Sequence, residues 1–303
     1  AERGYTVVER ADSPLAGGTY VRMRLPAGVS LEAARAAVTV FAPTATVDRN
    51  HYYRPGWATC DGPECAAPRS VAFPARAMSA CAADIRIGIV DTGVNASHEA
   101  LEGARLEVIP LRGADDTPSS RKHGTAVAAL LVGDPASRTP GLIPAADLIA
   151  VDPFTKAGGE DRMEVFDFVR ALDLLASREV EIINLSLSGP GNAVLAQAIA
   201  ALAARDVVLV AAAGNGGPAA PPAYPAAYPE VVTVTAVDRG LRPYRRAARG
   251  EHVDLAAPGV EVWAAASISG ARPQTGTSFA APFVTAAAAL LRSAEPDLDA
   301  AAV

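Results

Sequence analysis

The chain has 303 residues, half of them hydrophobic, with a net charge of −6 and three cysteines. That length accommodates one large α/β domain plus a small one, and the acidic balance argues against a nucleic-acid binder. No apolar run reaches the ~20 residues needed to span a bilayer, and the start shows neither a basic n-region nor an apolar h-region.

Read in chain order, residues 19–25 alternate apolar and polar side chains, as a strand does, and Pro26-Ala27-Gly28 is a turn. Ser30 is placed to cap a helix through about Val40, with Glu32 favourable in its first turn. Residues 44–48 read as a second strand. Residues 1–54 thus form a small α+β domain that ends in Asn50-His51-Tyr52-Tyr53-Arg54-Pro55. Residues 55–82 are rich in Pro, Gly and Ala and read as a linker. It holds Cys60, Cys65 and Cys81. The odd count leaves one unpaired; Cys60 and Cys65 would close a small loop, either could pair with Cys81, and three reduced thiols are the alternative. From residue 83 the pattern alternates. Strands are expected at 85–90, 146–151, 181–185, 207–213 and 231–237, and helices at 124–132, 162–177, 192–204 and 278–292. Such alternation predicts an α/β fold, a parallel sheet covered by helices on both faces. Residues 297–303 read as the start of another helix that would continue past the sequence given.

Three stretches carry chemistry. The strand at 85–90 ends in Asp91-Thr92-Gly93. His123-Gly124-Thr125 opens the second helix, and Gly276-Thr277-Ser278-Phe279-Ala280-Ala281-Pro282 leads into the apolar run at 283–291. A serine at a helix N-terminus sits beside free backbone N–H groups at the positive end of the dipole, which can hold a developing oxyanion. Pro282 fits, because proline is tolerated in a first helical turn. An N-cap is the commoner use of such a serine. Here, however, an acid, a histidine and a serine each stand where a parallel sheet gathers its ligands, at the carboxyl edge. Their order along the chain is Asp, His, Ser, unlike the Ser, Asp, His of α/β-hydrolases or the His, Asp, Ser of the chymotrypsin type.

These motifs resemble those of the subtilisin-like serine peptidases, the subtilases. Asn184-Leu185-Ser186-Leu187-Ser188-Gly189, Ala212-Ala213-Gly214-Asn215 and Leu255-Ala256-Ala257-Pro258-Gly259 fit the same family. The resemblance covers roughly residues 83–303; any one motif is weak, but all of them in order are specific. It implies a subtilisin-like sheet and a serine endopeptidase with Ser278 as nucleophile, His123 as general base and Asp91 holding the imidazole tautomer. Asn215 would donate to the oxyanion with the Ser278 N–H. Ser186, Leu187 and Ser188 would pair with an extended polypeptide substrate. Ala212, Ala213 and Gly214 would wall the pocket for the residue before the scissile bond, with Ala223 near its floor. None of these is acidic, so the pocket is expected to take uncharged, small or medium apolar side chains. Residues 1–54 are similar to the family's propeptide, which implies an intramolecular inhibitor and a zymogen; a permanent accessory domain is the alternative. Family habit and the cysteines together point to a secreted or periplasmic enzyme.

Other readings are weaker. Asn after Gly is most often a turn residue. Asp-Thr-Gly also occurs in aspartic peptidases, but that chemistry needs two carboxylates sharing a proton, and no second such motif is present. His51, His98 and His252 read as structural or solvent-facing. No His or Cys pair has zinc-ligand spacing; no metal and no cofactor are expected, and 133–140 lacks the Asn-rich character of the calcium loop of many relatives. Gly214-Asn215-Gly216-Gly217 lacks a dinucleotide-binding spacing. A silent scaffold on the same fold would not need Asp91, His123, Ser278 and Asn215 together. Phe279 stands where many relatives carry Met, which predicts less inactivation by peroxide, and Ser188 stands where many have Gly, crowding the cleft edge.

Overall fold

Short β-branched runs alternate with Ala- and Leu-rich segments, and the elements follow that alternation. The computed structural model describes residues 4–55, 82–111, 113 and 116–303. A hairpin of β1 (Thr6–Ser13) and β2 (Gly18–Arg24) precedes helix α1 (Leu31–Phe41) and strand β3 (Tyr52–Pro55). Then follow β4 (Arg86–Val90), β5 (Leu106–Pro110), α2 (Lys122–Val132), β6 (Asp147–Asp152), β7 (Thr155–Ala157), β8 (Glu160–Glu164) and α3 (Val165–Ser177). The chain continues through β9 (Ile182–Leu185), β10 (Leu187–Ser188), α4 (Ala193–Ala203), β11 (Val208–Ala212) and β12 (Val231–Val237). It ends with β13 (Leu255–Pro258), β14 (Val262–Ala265), β15 (Ala271–Gln274) and α5 (Ala281–Ala294).

A seven-stranded sheet in the order β13-β12-β11-β9-β4-β6-β5 is parallel throughout. Successive residues of a strand face opposite ways, so each central strand feeds two cores. Ile87 and Ile89 of β4 and Val208, Val210 and Ala212 of β11 pack with α2 and α5. Val90, Leu209 and Ala211 pack with α3 and α4 on the other face. Gly88 sets the α3 spacing, since a Cβ there would lie 2.8 Å from both Leu175 methyl groups.

The expected strands in this sheet lie within a residue of those found. β5 and β13 were not expected, because exposed residues interrupt their apolar pattern. Residues 162–164, expected as helix, belong to β8, and the turn before α5 is a short 3₁₀ helix, Thr277–Phe279. In the N-terminal region Ser30 does cap α1, accepting from the Ala33 N–H at 3.1 Å. Residues 44–48 do not form a strand. Their polar groups go to α4 instead: the Asp48 carboxylate accepts from Ala193 N–H at 2.7 Å, where the helix dipole favours an anion. Residues 297–303 form turns, in which Asp299 accepts from Ala302 N–H. The linker expected at 55–82, with Cys60, Cys65 and Cys81, lies outside the described residues except for Pro55 and Ala82.

One strand joins the two parts. β3 lies antiparallel between β10 and β8, with Arg54 opposite Ser188, Pro55 opposite Leu187, Tyr52 opposite Glu164 and Tyr53 opposite Met163.

Candidate active site

Asp91 follows the last residue of β4, and its N–H is held by the Val151 carbonyl of β6. The turn after it is pinned by buried groups that the sequence did not single out. Ser119 Oγ accepts from Gly93 N–H at 2.8 Å and donates to the Asp152 carboxylate. His123 sits in the first turn of α2. Helix and turn approach so closely that a Cβ on Gly124 would lie 2.1 Å from the Thr92 carbonyl oxygen. That approach brings His123 Nδ1 to 2.7 and 2.9 Å from the two Asp91 oxygens, both side chains being buried. An ionised carboxylate only accepts, so it selects the tautomer with the proton on Nδ1 and leaves Nε2 a lone pair. His123 Nε2 has no hydrogen-bond partner.

Ser278 is buried in the 3₁₀ turn before α5. Gly276 stands at φ 151° and opens that turn. The Ser278 hydroxyl donates to the Ser186 carbonyl at 3.2 Å. A chain of buried side chains fixes the serine backbone. Thr285 Oγ1 donates to Asn184, Asn184 Nδ2 to Ser186 Oγ, and Ser186 Oγ to the Ser278 carbonyl. Asn184 and Thr285 had no assigned role in the sequence reading, although Asn184 lies in a quoted motif. The Phe279 ring stands 5.4 Å from the imidazole, centroid to centroid.

Asn215 comes close to Ser278 through Thr277. Its Oδ1 accepts from Thr277 N–H at 3.0 Å, which fixes which end of the amide is the oxygen. Thr277 Oγ1 also accepts from Gly214 N–H at 3.1 Å. Ala212 and Ala213 are buried at the end of β11, and a Cβ on Gly214 would meet the Ala223 methyl at 3.4 Å. Gly214 thus lies against Ala223, His123 against Asp91, and the Phe279 ring sets the turn that carries Ser278 beside the imidazole. Ser188 pairs with Arg54 of β3 in the antiparallel register. Among the described residues no three His, Cys, Asp or Glu side chains cluster to hold a metal ion. No helix among them is long and apolar enough to cross a membrane. Of the other histidines, His98 Nδ1 caps a short helix through Ala100 N–H, and His51 Nδ1 contacts Asn192.

A parallel α/β sheet that gathers a carboxylate, an imidazole and a serine hydroxyl at its carboxyl edge defines a hydrolase of the serine peptidase class. The chain belongs to the subtilase family, whose sequence profile matches residues 82–303. It is 32% identical over 229 residues to subtilisin DY of Bacillus licheniformis, covering 73% of this chain and 81% of that protein. It is 34% identical over 212 residues to thermitase of Thermoactinomyces vulgaris, covering 69% and 75%. The self-cleaved protease domain of PatA superposes with a TM-score of 0.65 at 30% identity, covering 72% of this chain and 83% of that one. The protein is accordingly a subtilisin-like serine endopeptidase.

Proposed function

We propose that Asp91, His123 and Ser278 act as a catalytic triad and that residues 1–54 are a propeptide-like domain that inhibits the peptidase in a precursor. His123 Nε2 takes the Ser278 hydroxyl proton as Oγ bonds to the scissile carbonyl carbon. The Asn215 amide and the Ser278 N–H donate to the oxyanion. The C–N bond then breaks, the amine leaves with the proton from His123, and water repeats the sequence on the acyl-enzyme. The observation that carries the catalytic reading is the Asp91–His123 contact at 2.7 Å with Nε2 unpartnered.

The inhibitory reading is supported by β3. A strand of the chain's own N-terminal region occupies the edge of Leu187 and Ser188, where a substrate backbone would pair. The test is the intact mass of the purified full chain over time beside a Ser278→Ala variant. Loss of an N-terminal piece of roughly 50–80 residues by the wild type alone supports both halves. Equal stability of the two, with a fluorophosphonate labelling Ser278, leaves an active enzyme with a permanent N-terminal domain. No labelling overturns the triad.

A further inference from the structure

Asn95 comes four residues after Asp91, and its backbone and side chain together join the three stretches of chain that carry the acid, the histidine and the serine. We propose that Asn95 is a positioning residue for peptide hydrolysis: its side-chain amide holds the β14–β15 hairpin, and with it the turn that presents Ser278, in place against His123. The inference rests on the triad reading above.

The contacts divide between backbone and side chain. The Asn95 N–H donates to Thr125 Oγ1 at 2.8 Å. Thr125 is fully buried on α2, two residues past His123. This bond ties the loop of the acid to the helix of the base, and the Asn95 side chain takes no part in it. The side chain reaches the other way. Its Nδ2 donates to the Ser267 carbonyl at 3.1 Å and to the Ile268 carbonyl at 3.2 Å. An amide nitrogen carries two protons, and here both are used. Two successive carbonyl oxygens that converge on one point carry like partial charges, so a donor between them holds the turn in which they sit. Glu99 of the same loop accepts from Gly270 N–H at 2.5 Å, and this bond holds its carboxyl below the usual carboxylate range.

The hairpin needs such an anchor. β14 and β15 form a sheet of two strands, separate from the seven-stranded sheet, and a lone two-stranded hairpin is marginally stable in water. Only β14 has an interior: Ala264 and Ala265 are buried in the core shared with α2. β15 buries no residue, and Ile268 at the tip is 80% exposed. Yet β15 ends at Gln274, and Ser278 follows four residues later. At that end Thr275 Oγ1 accepts from Glu261 N–H at 2.9 Å, and Gly276 N–H donates to the Gly259 carbonyl at 2.8 Å. The serine turn thus hangs from the base of a hairpin whose tip is held by Asn95 and Glu99. A displacement of about 1 Å at the reacting atoms costs about a hundredfold in rate, even when its source is remote.

The test uses the purified full chain, incubated until its mass no longer changes, beside Asn95→Ala and Asn95→Asp. An ionised aspartate keeps the size of the side chain and the backbone bond to Thr125 but cannot donate to the two carbonyls. Peptide hydrolysis gives kcat and KM, a fluorophosphonate reads the reactivity of Ser278, and hydrogen exchange reads the fold. Expected results are kcat lower by roughly tenfold to a hundredfold in both variants, KM within about threefold of the wild type, and labelling slowed in proportion. Amides of β14 and β15 should exchange faster, while those of β4 and β11 do not change. A kcat within about twofold of the wild type in either variant overturns the proposal; for the aspartate it would mean that shape suffices without donation. So does failure of either variant to fold, or a loss of kcat with faster exchange in β4 and β11, since Asn95 would then be one structural contact among many. In all these cases the peptidase reading stands. Absence of both hydrolysis and labelling in the wild type sinks the triad reading, and this inference with it.

Discussion

The strands of the large sheet and the N-terminal hairpin are both β-structure, yet they are stabilised by different means. β4, β9 and β11 bury almost every residue. β1 and β2 together bury only Ser13, and α1 buries only Ala34. Val7, Val8, Val21, Met23, Val40 and Phe41 lie exposed. A piece of about 50 residues with so small an interior cannot offset its own chain entropy. Contacts with the peptidase part hold it instead. Ser13 Oγ and Leu15 N–H both bond to Asp173, Arg22 pairs with Glu164, and Tyr53 fills the cleft pocket. The lesson is that the large sheet carries its own core, whereas the N-terminal region borrows one.

The largest effect should separate chemistry from this architecture. Ser278→Ala should lower kcat by about 10⁶-fold, a figure that comes from subtilisin itself, while both regions stay in place. Peptide hydrolysis and hydrogen exchange would check the two halves, and faster exchange in α5 would break the claim. In that inactive background, Tyr53→Ala should weaken docking by roughly 3–5 kcal/mol, as for a buried aromatic truncated to alanine. Amides of β1 and β2 should then exchange faster while those of β4 and β11 do not change. Uniform acceleration would mean that the two regions share one cooperative unit. Ser13→Ala should have the same sign at about 1.5–3 kcal/mol, because its hydroxyl donates to the Asp173 carboxylate, which keeps the Leu15 N–H, and accepts from the Ala16 N–H.

The smallest effect concerns Asp167, which stands among Arg22, Arg170, Glu9 and Glu164. Burial pushes its carboxyl up to about 6, against the pull of Arg170 and Arg22. The native state thus holds this proton more tightly than the unfolded chain does. The carboxylate subtracts from stability above pH 6, and that deficit is gone below the ordinary value of 3.8. Because the site is partly open to water, Asp167→Asn should raise Tm by only about 2 °C at pH 7.5. The gain should vanish near pH 4, and thermal melts at the two pH values check the sign.

Much of this was legible in the sequence because burial on both faces leaves unbroken β-branched runs, as in β4 and β11. Asp91, His123 and Ser278 stood out because each follows or opens such a run. The edge strands β5 and β13 were illegible, since two residues of each are exposed and their pattern is irregular. Residues 44–48 looked like a strand because local propensity cannot register Asp48 reaching the start of α4. Ser119 and Asp152 were invisible for a similar reason: they hold the Asp91 turn from other elements. The same holds for Tyr53, whose pocket comes from Phe168, Gly189 and Pro190, far away along the chain.

Because β3 is paired on both its edges, a polypeptide that replaces it must arrive with neither edge engaged elsewhere. A helix has spent its amide and carbonyl groups internally, and a strand inside a sheet has lent them to its neighbours. The clamp therefore acts as a test of foldedness. Native helices and sheets should be refused, while hinges, frayed ends and partly unfolded chains should be admitted. A proteolytic map of a folded substrate should then follow its local opening more closely than its amino-acid sequence.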